Sequence, residues 1–125
     1  MSQTQVWVPP GWPETVHPPG APGWEATATE FLLDCCPADY RRYAVLRRHP
    51  VVLARFATEY VEGQLASSRS GLSQVRVALA QHVAPEVVES AASAWQEQTA
   101  QLTRTRRAVS LVEEALRGRV FVARL

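Results

Sequence analysis

The 125-residue chain contains no lysine, no isoleucine and no asparagine. Their shared AT-rich codons make a GC-rich genome the simplest explanation. All 13 basic residues are therefore arginine, and every positive charge is a planar guanidinium that stays protonated near neutral pH. Without lysine a Walker-type phosphate loop is excluded, and no glycine-rich nucleotide loop is present. No apolar run approaches the roughly 18–20 residues of a membrane span. Met1 to Pro10 lacks a basic region followed by an apolar core, so no secretory leader is expected and the cytoplasm is the expected location. Two adjacent cysteines, Cys35 and Cys36, cannot build a disulfide framework. They also miss the paired spacing of zinc ligands, so with His17, His49 and His82 they predict no metal site. Buried structural thiols are the reading that remains. No nucleophile elbow and no Ser-His-Asp arrangement is signalled, so neither an enzyme nor a cofactor is expected.

What is present is 46% apolar and 20% charged, a balance that suits one domain. Residues 1–23 form a block of their own, with six of the nine prolines. Proline fixes φ and removes a donor, which predicts an extended, polyproline-like arm. Trp7, Trp12 and Trp24 punctuate it. Three tryptophans are too apolar to leave in water, so they are expected to anchor the arm on its own domain or on a second copy. The alternative is that Val8-Pro9-Pro10-Gly11-Trp12-Pro13 docks as a polyproline ligand in a groove on another protein.

From Trp24 the pattern becomes helical, which predicts a helical domain over 24–125. Short helices are expected over about 25–35 and 37–48, separated by Pro37, and long ones over about 50–82 and 86–117. The short connection at residues 82–85 makes the long helices antiparallel neighbours. In the first, Val51, Ala54, Thr58, Val61, Leu65, Ser68, Leu72, Val75 and Leu79 alternate spacings of three and four. In the second, Val88, Ala91, Trp95, Gln98, Leu102, Thr105, Val109, Val112 and Leu116 do the same. Such alternation marks a coiled-coil-like seam. Folding about residue 84 pairs Leu72 with Trp95, Leu65 with Leu102, Thr58 with Val109 and Ser68 with Gln98. The expected fold is all-α: a long antiparallel hairpin, two short helices and the arm. Glycines and serines in EGQLASSRSG (62–71) predict a soft or bent helix centre there, with a true break as the alternative. Val52, Phe56, Tyr60, Val77, Val87 and Leu111 lie off the seam and need cover, which predicts a homodimer with a four-helix bundle.

The net charge of +1 conceals segregation. Residues 1–40 hold a balance of −5, residues 41–57 +5, residues 58–103 −3 and residues 104–125 +4. In the hairpin the two basic blocks share the open end. Either the acidic first 40 residues cover that end in cis, or its arginines receive an acidic partner, since guanidinium forks suit carboxylates and phosphates. The expected contact residues are Arg47, Arg48, Arg55, Arg104, Arg106 and Arg107. The function expected from this is a non-enzymatic interaction or regulatory module. The alternative is a nucleic-acid-associated protein using the same arginines, with Tyr40 and Tyr43 to stack on bases. Against it stands a pI of about 7.9, where dedicated nucleic-acid-binding domains lie above about 9.

The segments LRRHPVVLARFA (46–57) and RRAVSLVEEALRG (106–118) resemble small helical proteins of high-GC actinobacteria. The resemblance runs from Trp24 onward. It implies a cytoplasmic location and transfers no activity and no site residue.

Overall fold

The structure is a computed structural model that describes residues 7–124. Among the described residues there are four α-helices: α1 (Trp24–Asp34), α2 (Ala44–Arg48), α3 (Pro50–Leu79) and α4 (Pro85–Leu116), with a 3-10 turn at Ala38–Arg42 between α1 and α2. Among the described residues there is no strand. Pro50 and Pro85 occupy the first turns of α3 and α4, where the missing N–H costs nothing and the fixed φ favours the helix. Gly118, at φ 100°, ends α4 in the left-handed region that glycine enters freely. The two long helices pack antiparallel over their length, as the short connection demands.

Tertiary packing replaces the expected helix over 37–48 with two pieces. Tyr43 is extended, at φ −86° and ψ 110°, and separates the 3-10 turn from α2. The tighter turn places the Tyr40 ring edge-on to Tyr43, Phe56 and Tyr60, with centroids 6.1–6.4 Å apart. Three aromatic contacts outweigh the few tenths of a kcal/mol per residue that helix propensity contributes.

The arm is not a polyproline rod. Trp12, Ala21 and Trp24 donate N–H bonds to the carbonyls of Pro9, Pro18 and Ala21, each three residues back. In every case proline stands second and glycine third: Pro10-Gly11, Pro19-Gly20 and Pro22-Gly23. The glycines have φ 96°, 86° and 75°. These are type II turns, in which proline presets the first corner and only glycine takes the second without strain. Repeated turns fold the arm back on the helices instead of extending it. Val16 enters the core beside Leu32, Leu53 and Val109, and the Trp12 ring meets Phe121 edge-on at 5.8 Å.

The seam register holds at Ser68, while individual partners differ from the expected ones. Ser68 Oγ lies 2.6 Å from Thr99 Oγ1, so Thr99 and not Gln98 completes the polar layer. The Trp95 indole N–H bonds to the Ser68 carbonyl at 2.8 Å, and its ring lies against Gly71. Thr58 meets Glu113, with a hydrogen bond of 3.2 Å. α3 runs unbroken through 62–71. Gly71 is there because a Cβ at that position would collide with the indole ring.

Candidate functional site

The α1, 3-10, α2 and arm segments all pack on the open-end half of the hairpin. Val109 and Val112 of α4 and Leu53, Ala54 and Ala57 of α3 are buried beneath that layer. Where the layer stops, a groove of about 820 Å³ opens between the arm, the end of α1 and α4. Trp12, Pro13, Phe31, Cys35 and Ala108 supply its apolar surface. Arg104, Arg107, Gln101, Thr105 and Glu14 supply its polar groups. Arg107 stands over Gly11, whose missing side chain leaves room for the arginine stem: a Cβ there would lie 2.9 Å from Arg107 Cγ.

The arginines named from sequence do not form one patch. Arg104 and Arg107 line the groove together. Arg104 donates to Gln101 Oε1 at 2.7 Å and has no carboxylate partner among the described residues. Arg107 likewise makes no ion pair among them. Arg106 lies between the two in sequence, but the helical turn of about 100° per residue points it away from the groove. It stays exposed. Arg47 donates to the Arg41 carbonyl at the α2 end, and Arg48 is exposed there. Arg55 is committed elsewhere, 3.4 Å from Glu59 and 3.6 Å from Glu113.

Among the described residues, ion pairs from the acidic first 40 residues to the basic end are made to Arg41, by Glu30 and Asp34. Arg117 and Arg119 are satisfied from α4 itself, by Glu113 and Glu114. The most buried carboxylate of the chain is therefore structural: Glu113, with 11% of its side chain exposed, ties Thr58 and Arg55 of α3 to Arg117. The sequence offered no signal for it beyond an acid on an apolar stripe.

The tryptophans differ in the same way. Trp12 and Trp24 pack on Leu111, Ala115 and Phe121. The Trp12 N–H is satisfied by the Val16 carbonyl at 2.9 Å. Trp7 is 41% exposed and lines a second recess, with Pro9, Pro10, Arg119 and Phe121.

The thiols are poor chemistry. Burial pushes the Cys35 thiol up to about 12, helped by neighbouring Cys36 and Asp34, and pushes Cys36 up to about 11. A thiol held neutral is a weak nucleophile and a weak metal ligand. In the groove wall Cys35 acts as a small apolar group. Among the described residues no three His, Cys, Asp or Glu side chains gather as metal ligands, and no helix is long and apolar enough to cross a membrane. Phe31 and Cys35 were not foreseen as site residues, because sequence spacing shows that a helix has an apolar face but not what stands across from it.

No family model, no curated protein and no solved structure matches this chain.

Proposed function

We propose that this chain is a non-enzymatic, cytoplasmic interaction module that works as a helical dimer and receives an acidic segment at the Arg104–Arg107 groove. One observation carries the reading. Two guanidinium groups that form no ion pair among the described residues flank an aromatic floor made by Trp12 and Phe31, with Glu14 the one acidic group in the lining. Apolar walls with a few convergent polar groups are what binding grooves are made of. An acidic residue would meet the arginine forks, and an apolar neighbour would cover the rings.

The nucleic-acid reading needs a continuous basic track, because its affinity comes from many phosphates at once. The dispersal of Arg47, Arg55, Arg104 and Arg106 over separate surfaces speaks against it.

Cross-linked affinity capture from native lysate tests the proposal. The Arg104→Glu/Arg107→Glu double variant is expected to lose the partners that the unaltered chain retains. An unchanged set of captured proteins would overturn the groove as the site. Binding of random-sequence DNA at about 50 mM salt, falling steeply as salt rises, would replace this reading with the nucleic-acid one.

A further inference from the structure

The stripe Ala91, Trp95, Gln98, Leu102, Thr105 and Val109 continues along α4 at spacings of three and four, but its cover does not. Val109 lies under the α1 layer and is 1% exposed, whereas Trp95 is 38% exposed. Beyond the end of α1 the stripe forms the floor of an open recess of about 500 Å³, whose lining includes Gln64, Ser67, Ala91, Ala94, Trp95 and Leu102. Every residue lining that recess is uncharged. On the reverse of the same two helices Arg76 grips Glu89 with two bonds of 3.0 and 3.2 Å. The outer half of the hairpin thus has one ion-paired face and one face without charge. Interface cores are depleted of charge and enriched in tryptophan, and this face has both properties.

We infer that a second copy of this chain covers the uncharged face, with the two hairpins antiparallel. This rests on the dimer reading given above and names its surface and its geometry. The α1 layer stands on the same face at the open end, one helix diameter proud of it. Parallel copies would meet at their α1 layers and hold the outer halves apart. Antiparallel copies bring outer half onto outer half, and each hairpin turn abuts the end of the partner's α1. About 20 residues of each long helix take part, or roughly 30 Å by 20 Å. The buried total is about 1,200 Å², which reaches the lower bound for a stable specific interface.

The two-fold axis then passes near Ala94 and Trp95, α4 lies on α4, and Ala91 faces Gln98 of the partner subunit. The arrangement also brings the acidic hairpin turn, with Glu86 in the first turn of α4, up to the region of Arg104 and Arg107. The first acidic segment to reach the groove is therefore a second copy.

The test is mass in solution by sedimentation equilibrium at about 50 μM, with two variants. The unaltered chain is expected to be a dimer that weakens as salt rises. Ala91→Glu places a charge in the uncharged face and is expected to give a monomer with unchanged helical circular dichroism. Ala91→Cys mixed with Gln98→Cys is expected to yield a disulfide-linked dimer on mild oxidation, whereas Ala91→Cys alone should not. A monomeric unaltered chain would overturn both the inference and the dimer. A dimer indifferent to Ala91→Glu would overturn the surface and leave the dimer standing. Cross-linking by Ala91→Cys alone would overturn the antiparallel geometry.

Discussion

The open end of the hairpin and its outer half are built from the same two helices, yet they are different materials. At the open end, α1, α2, the 3-10 turn and the folded arm give α3 and α4 a second layer, and Leu46, Leu53, Val109 and Val112 are sealed between them. In the outer half the helices have only each other. Val77 is 84% exposed and Val87 48%, and the interior narrows to Leu65, Ser68, Val75, Val88 and Ala92. Apolar periodicity is as regular in one half as in the other. What differs is cover, and cover decides where stability sits and where a partner is needed.

The largest effect should separate the two halves directly. Leu53→Ala removes a fully buried side chain from the covered end and is expected to cost about 2–5 kcal/mol in urea unfolding. Val75→Ala, in the outer half, is expected to cost about 1–2 kcal/mol, because two helices without a third layer can close on the gap. Equal losses would break the contrast.

A second pair sits on one stretch of α4 at the covered end. Glu113→Ala strips the carboxylate that accepts from Thr58 and pairs at 3.6 Å with the half-exposed Arg55 and Arg117, and should cost about 1–2 kcal/mol. Glu114→Ala removes only an exposed pair with Arg119 and should cost under about 1 kcal/mol. If thermal melts show the two variants to be alike, burial is not what makes Glu113 matter.

The two glycines of α3 should move stability in opposite directions. Gly71→Ala drives a methyl into the Trp95 ring and is expected to destabilise by about 1–2 kcal/mol. A Cβ at Gly63 meets nothing within 4 Å, so Gly63→Ala should stabilise by about 0.5–1 kcal/mol through helix propensity alone. A stabilising Gly71→Ala would show that Trp95 does not rest where the structure puts it.

A slope with pH belongs to the covered end alone. Cys35 and Cys36 are raised from 9.0 to about 12 and about 11. In the unfolded chain both thiols ionise near pH 9, while in the folded chain they keep their protons. The unfolded state thus holds fewer protons above pH 9, so stability falls as pH rises from about 9 to 12. Below pH 9 the thiols contribute no pH dependence. Denaturant midpoints measured across that window should flatten when both cysteines become alanine, and an unchanged slope would deny the burial of the thiols.

Much of this protein was legible before its structure. Pro50, Pro85 and Gly118 mark helix limits by chemistry that acts within one turn. The three-four alternation sets the hairpin register closely enough to put Ser68 at the polar layer. The three Pro-Gly pairs also stood in the sequence, and they signal turns, although proline density alone suggests a rod. The groove was not legible, because Arg104 and Arg107 gain their setting from Trp12 and Phe31, which lie more than 70 residues away in the chain. Nor could spacing separate Arg106 from its neighbours or commit Arg55 to Glu113, since ion pairing depends on which faces meet.

The sequence by itself determined the two long helices, their approximate limits and their antiparallel fold, because backbone sterics and apolar spacing are local properties. Tertiary structure alone decided which half of an unbroken apolar stripe is covered, which arginines meet a carboxylate, and which glycine must stay glycine. Each of these depends on what stands opposite a side chain, and burial, pairing and collision are properties of two surfaces at once.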